Sequence, residues 1–133
     1  MGFYCLNGEQ ELPHILCQVL KYTKEKYGTE PEFLWEKTPD GAVLRHRDNL
    51  KWYAVILTVE KKKLGLSEDG EVRALNLKCK PDMISYLVDN RKYFPAYHMN
   101  KEHWISVVLD GTVPKPEIFN LIDISWQMTK KKR

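Results

Sequence analysis

Between residues 11 and 27, Leu12, Ile15, Leu16, Val19, Leu20 and Tyr27 recur at three- and four-residue spacings, the pattern of a helix that buries one face. Gln18, Lys21, Lys24 and Glu25 fill the other face, so this helix is predicted to lie across a sheet. Pro13 fits its first turn and Gly28 its stop. The period then shortens to two. Residues 31–37 read as a strand with Phe33 and Trp35 on one side, and Thr38-Pro39-Asp40-Gly41 as a tight turn. Residues 42–47 form the returning strand, with Leu44 and His46 on one face and Arg45 and Arg47 on the other. Asp48-Asn49-Leu50-Lys51 turns the chain into the apolar run 52–59, a central strand covered on part of both faces.

Residues 60–70 contain Lys61-Lys62-Lys63 and Gly65 and Gly70, and predict a long, exposed hairpin tip. A fourth strand follows at 71–79, with Leu75 and Leu77 facing opposite to Asn76 and Lys78. Pro81 suits the first position of a short helix to about Asn90 that turns Ile84, Leu87 and Val88 inward, and Pro95 prevents its continuation. The fifth strand covers 104–109, with Ile105, Val107 and Leu109 on one face. In a last helix, Ile118, Leu121, Ile122 and Ser125 define one face and Phe119 and Trp126 broaden it; with Pro116 as its first residue, Lys115 makes a poor cap. The prediction is α+β: one antiparallel sheet of about five strands, covered mainly on one face by helices, in the order α-β-β-β-β-α-β-α. With no repeat or interdomain linker, residues 1–133 form one domain ending in a basic tail, 130–133.

An apolar share of 43% and a charged share of 29% describe a globular chain. No apolar run is long enough to span a bilayer, and the first ten residues lack the basic flank and apolar core of a signal peptide. These features predict a cytoplasmic protein without membrane partners. Cys5, Cys17 and Cys79 are far apart in sequence and form no C-x-x-C pair, which favours reduced thiols over a disulfide framework or structural zinc. The net charge of +3 is unevenly placed. Of 21 Lys and Arg and 18 Asp and Glu, five basic and two acidic residues lie in 111–133, so the first 110 residues carry 16 of each.

Candidate chemistry centres on Tyr93 to Asp110. Within it, Pro95, Ala96, Tyr97, His98, Met99, Asn100, Lys101, His103 and Trp104 spell P-A-Y-H-M-N-K-x-H-W, which resembles the MmcQ/YjbR family of small bacterial proteins. Trp35, Lys37, Trp52-Tyr53-Ala54-Val55, Leu77-Lys78-Cys79-Lys80-Pro81 and Ser125 extend the resemblance over nearly the whole chain. The resemblance implies a fold similar to frataxin-like and secretion-chaperone-like domains, and a double-wing mode of DNA binding. It brings no catalytic set.

Nucleic-acid binding needs several cations that reach phosphates together. The candidates are Arg45, Arg47 and Lys51 around one turn, Lys61, Lys62 and Lys63 on another, Arg91 and Lys92 after the second helix, and Lys101 in the motif. If both hairpin tips project as wings, they can follow a double-stranded DNA by phosphate position and duplex shape. The alternative is a protein-interaction or chaperone-like module using an open apolar sheet face.

His98 and His103 invite a metal or acid-base reading, but H-M-N-K-E-H is not a helical metal motif; a histidine fixing the turn into the fifth strand is the plainer reading, and Asn100 can pin the same turn. Tyr97, Trp104 and Trp35 read as boundary residues and Cys79 as a buried thiol. No nucleophile with its base, phosphate-cradling loop or dinucleotide fingerprint is present, so the sequence assigns no catalytic residue, metal or cofactor.

Overall fold

The structure, a computed structural model, describes residues 14–37 and 41–131. Helix α1 (His14–Tyr27) precedes strands β1 (Ala42–Arg45), β2 (Trp52–Glu60) and β3 (Glu71–Lys78). Helix α2 (Pro81–Leu87), strands β4 (Tyr93–Pro95) and β5 (Trp104–Val108) and helix α3 (Lys115–Thr129) complete the chain. The strands form one antiparallel sheet in the order β1-β2-β3-β5-β4. The predicted fold class is the observed one.

Alternation along the strands divides the core in two. Leu75 and Leu77 of β3 and Ile105 and Val107 of β5 pack with Leu16 and Val19 of α1, Ile84 of α2 and Ile118, Leu121 and Ile122 of α3. Complete burial of each such side chain contributes roughly 1.5–3 kcal/mol, so this face supplies most of the hydrophobic stabilisation. Val72, Ala74, Phe94 and Val108 point the other way, where Leu64, Leu66 and Tyr97 cover them without an α-helix.

One register slip matters to packing. Leu44 pairs with Ala54 but Arg45 with Trp52, which leaves Tyr53 as an extra residue in β2. The bulge turns Tyr53 into the helix-side core, where its hydroxyl lies 2.5 Å from Thr29 Oγ1 and its carbonyl accepts from Ser125 Oγ at 2.5 Å. Ser125 Oγ also accepts from Lys78 N at 2.9 Å, so α3 is tied to both β2 and β3. This is why a serine occupies the buried face of α3.

Several boundaries depart from the sequence reading. Residues 31–37 form no strand; only an isolated bridge joins Glu32 to Val43. Pro31 lacks a donor, and Phe33 and Leu34 are both exposed, so the residues that suggested a half-buried strand do not alternate between core and solvent. In its place the sheet gains β4 after α2, three residues that periodicity cannot reveal, so the helices and strands run α-β-β-β-α-β-β-α, while the strand expected at 104–109 is β5. Helix α2 ends at Leu87 rather than near Asn90, which adopts a left-handed φ of 59°. The segment 60–70 is the exposed tip of the β2–β3 hairpin, as expected, but it is not featureless: Lys61–Leu64 is a 3-10 turn whose buried Leu64 packs back onto the sheet. Helix α3 starts one residue before Pro116 and has Pro114 at its cap, with no side-chain cap, as the sequence suggested.

Cys79 is buried, and burial pushes its thiol up to about 11. Cys17 is disulfide-bonded, against the expectation of three reduced thiols, because separation along a chain does not limit approach in space. Pro13, the turn at 38–40, Lys132, Arg133 and Cys5 lie outside the described residues. Among the described residues, no helix is long and apolar enough to cross a membrane.

Candidate nucleic-acid interface

The conspicuous motif crosses the end of the sheet on a buried polar clamp. Asn76 and Ser106 face each other across β3 and β5, and both are fully buried. Ser106 Oγ donates to Asn76 Oδ1 at 2.5 Å and accepts from Tyr97 N at 3.0 Å, while Asn76 Nδ2 donates to Tyr97 O at 2.9 Å. The clamp therefore satisfies both polar groups of the Tyr97 backbone, which would otherwise be costly beside the apolar sheet. His98 follows in a left-handed conformation, φ 63°, its ring 4.0 Å from that of Tyr97.

Asn100 builds the turn into β5. Its Oδ1 accepts from Glu102 N at 2.8 Å, and its carbonyl accepts from His103 N at 3.3 Å and Trp104 N at 3.0 Å. His103 O then accepts from Cys79 N at 2.9 Å. Contrary to the histidine reading, the His98 and His103 side chains make no hydrogen bond among the described residues, and both residues are exposed. Asn100 fixes the turn because its short amide reaches the local backbone. Among the described residues no group of His, Cys, Asp and Glu could hold a metal ion.

Beside the motif lies an open cleft of ≈ 390 Å³. Lys63 and Gly65 come from the folded-back β2–β3 segment, Asn90 from the turn after α2, and Tyr97 and Lys101 from the motif; Leu64 and Phe94 supply apolar lining. Both walls are held. Gly65, at φ 88°, closes the 3-10 turn by donating to Lys62 O at 3.0 Å. On the other side, Asp89 Oδ1 accepts from the backbone N–H groups of Arg91, Lys92 and Tyr93 at 2.9, 2.9 and 3.1 Å. The Lys92, Arg91 and Tyr93 amides hold the Asp89 carboxyl down at about 2.

The candidate cations divide by their partners. Arg45 makes a forked pair with Glu32, Nε to Oε2 at 2.8 Å and Nη2 to Oε1 at 2.6 Å, so it serves the fold. Lys61 pairs with Glu68 at 3.3 Å and Lys62 with Asp69 at 2.9 Å. Arg47, Lys51, Lys63, Arg91, Lys92 and Lys101 make no ion pair among the described residues.

Arg47 and Lys51 precede β2 and Lys61 follows it, which separates those two groups by roughly 26 Å along an extended strand. The fold therefore brings Lys63 and Lys101 together at the cleft, with Arg91 and Lys92 immediately after Asn90, and leaves Arg47 and Lys51 at a different turn. Asn76, Ser106 and Asn90 were not singled out by sequence. The legible signal was a Ser inside the apolar strand β5 and an Asn between Leu75 and Leu77 of β3, but their pairing required the register.

The YjbR family model matches residues 24–128. Bacillus subtilis YyaQ is 51% identical over 112 residues, covering 84% of this chain and 95% of that relative. Escherichia coli YjbR is 30% identical over 114 residues, covering 84% of both chains. A Pseudomonas syringae protein has a crystal structure similar to this one, with a TM-score of 0.83 and 44% identity over 86% of this chain and 97% of that one. A Deinococcus radiodurans crystal structure shares the fold at a TM-score of 0.66 and 24% identity, covering 88% and 79% of the respective chains. The family match spans the sheet, the clamp and the motif together, and the chain belongs to the YjbR family.

Proposed function

We propose that this domain binds double-stranded DNA through its phosphate backbone, with Lys63 and Lys101 as central contacts and Arg91 and Lys92 beside them. The observation that carries this reading is the cleft: two lysines from distant segments stand at one opening, and neither is engaged by an acid among the described residues. The walls are tied before any ligand arrives, which limits the ordering cost of binding. Lysine supplies charge without base-edge geometry, so the reading is one of phosphate position and duplex shape rather than sequence. It needs the tip of the β2–β3 hairpin and the motif loop rather than a pair of wings.

The protein-interaction alternative called for an open apolar sheet face. Val43, Val55, Phe94 and Val108 on that face are buried, which weighs against it. The test is duplex binding followed by fluorescence anisotropy between 50 and 200 mM salt. Replacing Lys63 and Lys101 together by Ala should reduce the slope of log K against log salt by about 1.8, at roughly 0.9 for each phosphate that is no longer neutralised. Duplexes of unrelated sequence should bind with similar strength. A double variant with the parent slope would remove the cleft from the interface.

A further inference from the structure

We infer that a second phosphate-binding surface lies where the β1–β2 turn meets the C-terminal end of α3, built from Arg47, Lys51, Lys130 and Lys131. Sequence alone makes residues 130–133 a detached charge run. The structure ties their root to the fold. Asn49 Nδ2 donates to Thr129 O at 2.9 Å, meeting one of the carbonyls left open where α3 ends. His46 Nε2 lies 2.8 Å from Thr129 Oγ1. That hydroxyl donates to Ser125 O at 2.8 Å, so the imidazole N–H is the donor to it. Packing of the His46 ring against Trp126 and Tyr53 gives this junction an apolar backing.

The turn is also fixed from within. Asn49 Oδ1 accepts from Lys51 N at 2.9 Å, Asp48 Oδ1 accepts from Asn49 N at 2.6 Å, and His46 N donates to Lys51 O at 3.0 Å. Arg47 and Lys51 each lie two residues from Asn49, and Lys130 and Lys131 directly follow Thr129. All four are exposed, and none forms an ion pair among the described residues. The acid in the turn is Asp48, one of whose oxygens the Asn49 amide occupies. Four cations on a fixed junction with one neighbouring carboxylate fit a chain of phosphates, and Arg47 adds a planar group suited to two oxygens at once.

This surface rests on the same ligand as the cleft reading but on different residues, so the two are separable. Anisotropy with a 20-base-pair duplex should compare the full chain with Arg47→Ala/Lys51→Ala, Lys130→Ala/Lys131→Ala and Lys63→Ala/Lys101→Ala. The turn pair and the tail pair should each lower the salt slope by about 1.8, whatever the cleft pair does. An unchanged slope for either pair overturns the surface.

Asn49→Ala keeps every cation and releases the anchor; it should weaken binding several-fold while the slope stays near the parent value. Parent affinity in a folded Asn49→Ala protein would mean the tail acts as a free charged end, which also overturns the proposal. If the cleft variant keeps its full slope while the turn and tail variants have reduced slopes, the cleft reading fails and this surface stands. If no form binds the duplex, inorganic polyphosphate decides: weaker binding by the turn and tail variants retains the surface, while equal binding or none removes it.

Discussion

His46 is 5% exposed, and its burial, opposed in part by Asp48, pushes the imidazole below its usual range. The folded state therefore takes up its proton less readily than the unfolded chain. The stabilisation from keeping His46 neutral is full above about pH 6.5 and is lost as pH falls toward the lower folded-state value. Urea midpoints measured from pH 7.5 to 5 should decline, and His46→Phe should flatten that part of the curve. Asn76 makes a second residue-scale prediction. Asn76→Ala strips partners from Ser106 Oγ and Tyr97 O inside the sheet, and should cost about 1–3 kcal/mol by urea denaturation. Neither role was legible beforehand. His46 was placed on the correct face by period two, but its partner Thr129 is 83 positions away.

At the scale of elements, α1 and α3 are joined by one carboxylate. Asp123 accepts from the Tyr22 hydroxyl at 2.9 and 2.8 Å, from the Tyr27 hydroxyl at 2.6 Å and from Lys26 Nζ at 3.0 Å. Tyr22 stacks on Phe119 and Tyr27 on Trp126, so aromatic faces flank the polar contact. Burial alone would raise the Asp123 carboxyl, but the donated bonds from Tyr27, Tyr22 and Lys26 hold it below the usual range. Its contribution is present above about pH 3.9 and fades as pH drops further. Asp123→Ala should destabilise the protein by about 2 kcal/mol and lower amide protection in α1 before that of the central strands, as hydrogen exchange would report.

A second element-scale test concerns the folded-back segment. Leu64→Ala should cost about 2 kcal/mol and weaken duplex binding through Lys63, with no change in the fold of the sheet. The helices and the strands β2, β3 and β5 were readable because their periods run for many residues. Residues 31–37 misled because Phe33 and Trp35 imitate alternation, whereas β4 is too short to have a period and exists because Tyr93 and Pro95 pair with Val107 and Ile105.

For the whole molecule, the neutral charge of the first 110 residues concealed an uneven surface. Nine cations were candidates for nucleic acid on sequence grounds, and the fold removes Arg45, Lys61 and Lys62 into pairs while placing Lys63 and Lys101 at one opening. That sorting depends on which acids each loop brings near, which composition does not contain. The motif was legible as a landmark, whereas its clamp and cleft required the sheet.

The two outer strands carry a further consequence. Glu32 exchanges both backbone hydrogen bonds with Val43 along the flank of β1, and β4 at the opposite flank spans three residues with a proline among them. Among the described residues neither border offers a long ladder of free donors and acceptors, so the sheet is guarded against edge-to-edge growth into filaments or strand-sharing pairs.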